Sequence, residues 1–573
     1  MIVGRIVNRL VWYVDRLLSR VYHARHPGPI GRRLIAAAAP LTGLCQPNDK
    51  WNLHVHAPRW MEGVSSAPPA GPLPQPKSIF LFCAYRAVYT THLVLAVLLV
   101  WRGHKVTIGY LPKLQSPNKP PLKDHPSAKP YLHSIMSRIA GLTGGRITCV
   151  DLSENMSSAP IDSEAARSQA RYDTMMAYQK EDLDLADPVV RGLFDHYVEA
   201  GERAQVAIRN HLKDNRYDIY LVGNGCTFEG SHACRIFKEA GYPVNTFEKF
   251  AFRGVRVINH GDHFLNGDDI DVIWNRRDEL GYGREPYWST FRQRAEESLR
   301  ERSRGSTSTW LWELQQAGQQ SAEAAFETAG LNENSEFVLI CPNVPFDAGY
   351  EKITDVFASM KEWIFATVKY LLEETNQIVV VRCHPSEYVW WGGKEPVSQL
   401  LADAGFKASE RLVIIPGKAK VNTYRLMERC RFGVVFSSST GLEMAMLGKH
   451  VVVGSNVIYS RRGFTHDARS REAYFQNLLT LANANNLGSI DKSQQELATL
   501  FYFVYHWVAQ YPYPFDKPSS LVRRAPKDVL RSAEMVDYLP YLDLLSMDKN
   551  EFAQALPQYL SASKIMERLK RAA

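Results

Sequence analysis

Short apolar runs alternate with longer amphipathic stretches along most of the chain. The run Ser78–Cys83 (SIFLFC) is followed by an apolar stretch at 89–102 and by a second run at Val106–Gly109. A strand, a helix and a strand within about 30 residues form a βαβ unit, whose strands lie parallel. Further strand-like runs follow at Arg146–Val150, Asp218–Val222 and Pro243–Thr246. The pattern therefore predicts a doubly wound α/β domain.

A polar, helix-prone stretch at 265–335 interrupts this alternation, which then restarts. The later strand-like runs are Phe337–Cys341, Ile378–Arg382, Leu412–Ile415, Gly433–Ser437 and His450–Gly454. They predict a second doubly wound domain, and two such domains in tandem leave a cleft suited to a two-substrate reaction. We expect an N-terminal extension and Pro-rich linker at 1–77, Rossmann-like domains at 78–330 and 331–520, and a helical tail at 521–573.

The N-terminal extension carries most of the net charge. Residues 1–40 hold seven arginines and one acid, so this stretch contributes +6 of the +8 total. As a helix, residues 1–25 place arginines on one face and branched aliphatics on the other, a pattern typical of helices that lie on an anionic membrane surface. Packing on the protein's own body or on a second copy, which leaves a homo-oligomer open, and a transit peptide are the alternatives.

Composition excludes several classes of protein. Hydrophobic residues make up 45% and charged residues 22% of the chain, as in soluble globular proteins, so a disordered chain or a polytopic membrane protein is excluded. Because the rest of the chain is nearly neutral, we expect no nucleic-acid partner. Eight cysteines occur without a C-x-x-C pair, which argues against a zinc site or a disulfide framework and favours the cytosol.

Two segments of the second domain carry candidate chemistry. In the first, a β-branched strand ends in Arg382, Cys383, His384 and Pro385, so that the rigid proline fixes an imidazole at the mouth of a parallel strand. There His384 could donate a hydrogen bond to a phosphate or a leaving group.

The second segment is a run of four hydroxyl side chains, at 437–440, between an apolar strand and a helix. Such a run offers O–H and N–H donors beside a helix N-terminus and predicts a phosphate cradle. Glu443, one turn further on, is placed to accept hydrogen bonds from ribose hydroxyls. The competing interpretation is a serine-rich helix cap followed by an ordinary glutamate.

The motifs RCHPSE and, about 50 residues later, FSSSTGLEMAMLGKHVVV resemble those of the capsular polysaccharide biosynthesis glycosyltransferases, which include bacterial Kdo transferases. The chain is more distantly similar to bacterial sialyltransferases, which use CMP-activated sugars. The resemblance is specific over 336–467 and implies the GT-B fold, with the acceptor on the first domain, the nucleotide on the second and no required metal or cofactor. It also implies donor-binding roles that carry over to the following residues: Arg382, His384, Pro385, Ser438, Ser439, Thr440, Glu443, Asn343 and Asp347. For Asn343 and Asp347, loop capping is the competing interpretation.

The catalytic carboxylate is not identified by the sequence. Glu229, Glu248 and Asp262, with His260 and His263, are the candidates for activating an acceptor hydroxyl or for forming a covalent sugar intermediate. His260 and His263 lie beside Asp262, and this cluster also suits a metal ion, although ordinary surface polarity is the commoner explanation, so we expect no metal site.

The sequence thus predicts a cytoplasmic glycosyltransferase, peripheral to the inner membrane. It would transfer a sugar, Kdo or a related acidic sugar, from a nucleotide-activated, CMP-linked donor to a bacterial surface polysaccharide or glycolipid. The alternatives are a CDP-polyol phosphate or UDP-sugar enzyme of the same fold, and a non-catalytic scaffold in polysaccharide assembly.

Overall fold

A computed structural model of the chain describes residues 74–83, 86–111, 140–141, 143–249, 255–261, 268–304, 322–332, 335–348, 356–389, 395–513 and 533–572. The basic N-terminal segment lies outside these residues, so its contact with a membrane or a second copy stays a prediction. Within the described ranges, no helix combines the length and the apolar character needed to cross a membrane.

The described residues form thirteen strands, which we number along the chain. These are β1 Ser78–Cys83, β2 Lys105–Tyr110, β3 Ile147–Asp151, β4 Ile219–Gly223, β5 Val244–Lys249, β6 Val255–His260, β7 Phe337–Cys341, β8 Ile378–Arg382, β9 Leu412–Ile415, β10 Phe432–Val435, β11 Val451–Val453, β12 His466–Asp467 and β13 Tyr511–Pro512.

The α-helices of the described residues are numbered in the same way. These are α1 Arg86–Trp101, α2 Ser163–Tyr178, α3 Pro188–Asp214, α4 Phe228–Glu239, α5 Asp268–Asn275, α6 Arg277–Leu280, α7 Tyr287–Ser303, α8 Ala322–Thr328, α9 Met360–Glu374, α10 Ser386–Val389, α11 Val397–Asp403, α12 Thr423–Arg429, α13 Thr440–Met446, α14 Arg471–Asn483, α15 Lys492–Phe503, α16 Ala533–Leu545, α17 Lys549–Leu560 and α18 Ala562–Ala572.

The first sheet has the strand order β3-β2-β1-β4-β5-β6-β13. Strands β1 to β5 are parallel, and β6 turns back antiparallel to β5. All residues of β1 from Ile79 to Cys83 are buried, as expected for a central strand covered on both faces. The long helix α3 starts with a proline after Asp187, whose side chain accepts a hydrogen bond from the Val189 N–H at 2.7 Å, a favourable helix start.

The second sheet has the order β12-β11-β10-β7-β8-β9, and all its pairings are parallel. The order reverses between β7 and β10, which is where open α/β sheets bind ligands, beyond the carboxyl ends of the strands. The α/β class with two doubly wound domains is therefore confirmed, and the ten strand-like runs predicted from the sequence all become strands. Three strands, β6, β12 and β13, were missed.

After the second sheet the chain returns to the first domain. Strand β13 pairs with β6, and Asn245 Nδ2 donates to the Leu545 carbonyl at the end of α16, at 2.9 Å. The buried Arg102 Nε donates to Asp543 Oδ1 at 2.9 Å. The tail expected at 521–573 thus packs on the first domain, and the return begins before the expected boundary at 520, because β13 already belongs to the first sheet.

Helix α2 and the residues after it bring the two domains together. Helix α2 packs against the short 3₁₀ helix Pro345–Ala348, which follows β7. The carboxyl edge of the second sheet therefore lies against a helix of the first domain at this point.

Candidate active site

A side-chain hydrogen bond joins the two loops at the switch point of the second sheet, where the strand order reverses between β7 and β10. Asn343, two residues after β7, accepts a hydrogen bond through Oδ1 from the Ser437 N–H at 3.0 Å, just after β10. This contact joins the loops that leave the two strands on either side of the reversal. Asn343 is half-buried, so it holds the loop geometry at the edge where a ligand would bind.

The hydroxyl run continues from there into α13. Ser438 is buried, and its Oγ accepts from Thr440 Oγ1 at 2.9 Å, whereas Ser439 is exposed. From behind, the Tyr459 hydroxyl donates to the Ser438 carbonyl. Gly441 permits this approach, since a Cβ there would lie 2.3 Å from the tyrosine oxygen. The run is therefore held by specific contacts and presents Ser439 and Thr440 at the edge of the sheet.

The imidazole of His384 lies at the same edge, two residues after β8. Its Nδ1 accepts a hydrogen bond from the Ser386 N–H at 3.1 Å. Burial lowers the pKa of His384 to about 4, and the charge of Arg382 lowers it further. At neutral pH the ring is therefore uncharged, and because Nδ1 is an acceptor, Nε2 carries the hydrogen. His384 is thus a neutral N–H donor rather than a cation.

The two segments that the sequence singled out lie at one edge of one sheet. Strands β8 and β10 both flank β7, so His384 and the hydroxyl run follow strands two spacings apart, about 10 Å. Pro385 lies between His384 and the start of α10, and Asp347 lies in the 3₁₀ helix that follows Asn343, although its side chain is outside the described atoms.

Arg382 does not have the donor-binding role expected for it. Its guanidinium is buried and donates to three backbone carbonyls of the loop after β9, at Pro416 (2.8 Å), Ala419 (3.3 Å) and Val421 (3.5 Å), and to the Thr423 hydroxyl at 3.2 Å. These bonds use the donors that a phosphate would need. Arg382 therefore fixes the loop between β9 and α12.

Glu443 also differs from its expected role as a ribose ligand. It is 1% exposed, and its Oε1 lies 2.7 Å from Nη1 of Arg302, at the end of α7. Burial raises the pKa of Glu443, while the charge of Arg302 and a hydrogen bond from Tyr424 oppose this rise. Because α7 and α12 cover the carboxylate, Glu443 anchors α13 to its neighbours instead of facing the cleft.

At the carboxyl edge of the first sheet, Glu229 is buried beside a second acid. Both carboxyl oxygens of Asp173, on α2, accept from the Phe228 N–H at 3.1 and 3.2 Å. Burial raises the pKa of Asp173 well above its ordinary value, and the nearby charge of Glu229 adds to the rise. Burial and this neighbouring charge therefore favour the neutral form of Asp173, whereas the hydrogen bonds from Phe228 and Gln169 favour the charged form. Glu229 is 7% exposed, so it is a poor candidate for contact with an acceptor.

Glu248 is better placed for acceptor chemistry. It lies near the carboxyl end of β5 and is half-buried. Its Oε2 accepts a hydrogen bond from Asn224 Nδ2 at 2.9 Å, in the loop after β4. Asn224 has a φ of +63°, a left-handed conformation that asparagine tolerates better than most residues. Among the three predicted carboxylates, Glu248 is the one whose described position combines the correct edge with access to solvent.

Of the predicted cluster around 260–263, the structure describes His260, and His260 does not lie where it could contact an acceptor. His260 ends the antiparallel β6 opposite Asn245, the second residue of β5, and so lies at the edge away from the cleft. It is fully buried, with Nδ1 bound to Asp269 Oδ2 at 2.8 Å and Nε2 to the Leu544 carbonyl at 2.8 Å. Asp262 and His263 lie outside the described residues. Among the side chains that are described, no group of three or more His, Cys, Asp or Glu residues could hold a metal ion.

Sequence reasoning missed three residues that organise these edges: Asp173, Arg302 and Tyr459. Each lies in a helix or loop whose pattern is ordinary, and each acts on residues that are distant along the chain. Arg302 lies in a polar helix that also carries exposed arginines, so its charge did not distinguish it from them in the sequence.

No protein-family model matches the sequence, and no curated protein matches it. Among solved structures, the chain is similar to the β-Kdo 2,4 transferase KpsC of Thermosulfurimonas dismutans, with 15% identity, 53% of this chain and 87% of that chain covered, and a TM-score of 0.32. The β-Kdo 2,7 transferase KpsC of the same organism has 13% identity, 51% and 79% coverage and a TM-score of 0.30. A UDP-GlcNAc 2-epimerase from Neisseria meningitidis bound to UDP-GlcNAc has 12% identity, 75% and 99% coverage and a TM-score of 0.26.

Proposed function

We propose that this chain is a glycosyltransferase that moves a sugar from a nucleotide-activated donor to a polysaccharide or glycolipid acceptor. The observation that carries the proposal is the placement of His384, Asn343 and the Ser439 hydroxyl at the carboxyl edge of one parallel sheet. These groups supply neutral hydrogen-bond donors at the edge where α/β sheets bind nucleotides. The sequence resemblance to Kdo transferases of capsule assembly supports an acidic sugar on a CMP carrier as the donor.

In the reaction that we propose, the bond between the anomeric carbon and the phosphate oxygen breaks, and its electron pair stays on the phosphate. The N–H of His384 and the hydroxyl of Ser439 stabilise this developing charge. Fixed donors of this kind are worth about 10²–10³ in kcat when one is removed. Because the donors are neutral and already placed by backbone contacts, the leaving group needs no metal ion in this scheme.

The acceptor is activated from the first domain. The Glu248 carboxylate takes the proton of the acceptor hydroxyl as its oxygen bonds to the anomeric carbon. Asn224, which donates to Glu248 Oε2 at 2.9 Å, keeps the carboxylate oriented. A covalent sugar intermediate on the same carboxylate would give the opposite configuration at the anomeric carbon, so the stereochemistry of the product distinguishes the two routes.

The decisive experiment is nucleotide release by the purified protein from a panel of CMP-, CDP- and UDP-linked sugars, with EDTA present in a parallel series. We expect release from one class of donor, undiminished by EDTA, and a fall in kcat of about 10²-fold or more for His384→Ala. Ser409→Ala, at an exposed hydroxyl outside the cleft, is the matched control and should leave the rate unchanged.

Two outcomes would overturn the proposal. If the product keeps its nucleotide but carries an inverted sugar centre, the protein is an epimerase of the same fold. If no nucleotide binds and no donor is consumed, the protein is a scaffold. A wild-type rate for His384→Ala would remove the assignment of the donor site.

A further inference from the structure

The loop between α2 and α3 reaches from the first domain to the second. Its Glu181 is 6% exposed, and its two oxygens accept from the N–H groups of Met360, at 3.1 Å, and Lys361, at 3.0 Å. These are the first two amides of α9, which have no acceptor within their own helix. Ser359 caps the Glu362 N–H of the same turn at 3.0 Å. The N–H groups at the start of α9 therefore find acceptors partly in their own domain and partly in the first domain.

Two ion pairs flank this contact. Lys361 pairs with Asp182, and Lys180 Nζ lies 3.7 Å from Glu395 Oε1. Each pair joins a residue next to Glu181 to a residue of the second domain. Exposed pairs of this kind add little free energy singly, but they fix the register of the buried carboxylate between them. The contact is thus made of two hydrogen bonds to a buried carboxylate and two ion pairs.

Helix α2 links this contact to both halves of the candidate site. Helix α2, which precedes Glu181, packs on the 3₁₀ helix that follows Asn343. Earlier in α2, Asp173 holds the Phe228 N–H in the loop after β4. A shift of the Glu181 loop would therefore move residues at the donor edge of the second domain and at the acceptor edge of the first.

We propose that Glu181, with Lys180 and Asp182, forms an interdomain latch that holds the cleft closed and whose release opens it for exchange of donor and nucleotide. The latch is a statement about domain position and goes beyond the proposed transferase activity. Interfaces between domains of one chain are usually small and polar, and closure around a ligand is a common motion of such pairs. The contact consists of two hydrogen bonds from backbone N–H groups and two ion pairs. A contact made of so few polar interactions can both form and break.

The latch is expected to respond to pH near neutrality. Burial raises the pKa of Glu181 to about 7 and the charge of Asp182 adds to this, whereas the N–H groups of Lys361 and Met360 and the Lys361 charge act in the opposite direction. Lys180 and Glu395 are the other charges of the contact.

The direction of the pH dependence of closure follows from proton linkage. When the latch is open, Glu181 is in water and its pKa returns towards the ordinary value of 4.5. The closed state therefore holds a proton that the open state has lost over the range between 4.5 and about 7. Closure is favoured at low pH and weakens as the pH rises through this window, by on the order of 10²-fold in the closed-to-open ratio between pH 5 and pH 8.

Hydrogen exchange and small-angle scattering of the full chain without donor test the latch directly. For wild type we expect the amides at the start of α9 to exchange faster, beyond the intrinsic pH effect, and the radius of gyration to rise between pH 5 and pH 8. Glu181→Ala should show fast exchange and the larger radius at both pH values. Glu181→Gln, which keeps an acceptor without charge, should stay compact at pH 8.

Glu164→Gln is the matched control, because Glu164 is exposed in the first turn of α2 and should leave the wild-type pH response intact. The latch is refuted if Glu181→Ala and Glu181→Gln both retain the wild-type exchange rates and radius at each pH. Since neither measurement uses a donor, failure of the latch and failure of the transferase proposal are separate results. Circular dichroism of each variant reports whether the fold is kept.

Discussion

Replacement of Arg302 by methionine tests the structural role assigned to Glu443. In the folded protein the side chains of Arg302 and Glu443 are 11% and 2% exposed, and their closest atoms are 2.7 Å apart. Methionine fills much of the volume of arginine but leaves the carboxylate without a cation. Breaking a buried pair from one side costs about 3–5 kcal/mol, so we expect Arg302→Met to lose this amount in the free energy of unfolding at pH 8.

The loss should depend on pH in a defined direction. Burial raises the pKa of Glu443 in the folded state, and removal of Arg302 takes away the charge that opposes this rise. The folded variant therefore holds a proton that the unfolded chain releases, and its stability is greater at low pH and falls as the pH rises. Between the two pKa values the change is about 1.4 kcal/mol per pH unit, so the loss relative to wild type should shrink clearly by pH 5.

The assay is urea unfolding at pH 8 and pH 5 of wild type, Arg302→Met, Glu443→Gln and the double variant. The double variant should lose less than the sum of the single variants, because it leaves no unpaired charge. Arg300→Met, at an exposed position of the same helix, is the matched control. If Arg302→Met is as stable as this control at pH 8, the pair does not anchor α13. If Glu443→Gln weakens donor binding with full stability, the ribose role returns.

Two further predictions concern packing and protonation. Gly441→Ala should lower the free energy of unfolding by about 1–3 kcal/mol, measured by thermal unfolding, because its Cβ would lie 2.3 Å from the Tyr459 oxygen. Gly192→Ala, in open space on α3, should be neutral or stabilising, and equal effects of the two variants would contradict the packing around Gly441. Because burial favours the neutral form of Asp173, Asp173→Asn should keep the stability of wild type at pH 7 within about 1 kcal/mol. Asp173→Ala should lose about 1–3 kcal/mol, because it removes the acceptor of the Phe228 N–H, and equal losses in the two variants would contradict this expectation.

The strands and their edges could be predicted from the sequence because central parallel strands are buried on both faces. Runs such as 378–382 and 432–435 are therefore continuous and apolar, and the polar residue that follows marks the carboxyl end. This is why His384 and Ser438 were placed correctly at one edge. Strands β12 and β13 have two residues each, too few for any periodicity, and so were missed.

The partners of the polar residues could not be predicted in the same way. Arg382 and His384 look equally suited to a phosphate in the sequence, yet the arginine is turned into the loop after β9 while the imidazole stays at the edge. The two residues are two positions apart, so strand alternation alone would place them on the same side, and only the loop packed after β9 distinguishes their surroundings. His260 was misplaced for a topological reason, since β6 reverses direction and carries its end to the far edge.

The contacts of the buried residues explain how the proposed donor site would act through neutral groups. Tyr459 holds the Ser438 carbonyl from behind, Asn343 holds the Ser437 N–H from the side, and the Arg302–Glu443 pair fixes the helix one turn further on. A hydroxyl or imidazole N–H that is already oriented needs no reorganisation when negative charge develops on the leaving phosphate. In this arrangement the buried charges do not bind substrate. They keep neutral donors in place, which is why their removal should reduce stability first and turnover as a consequence.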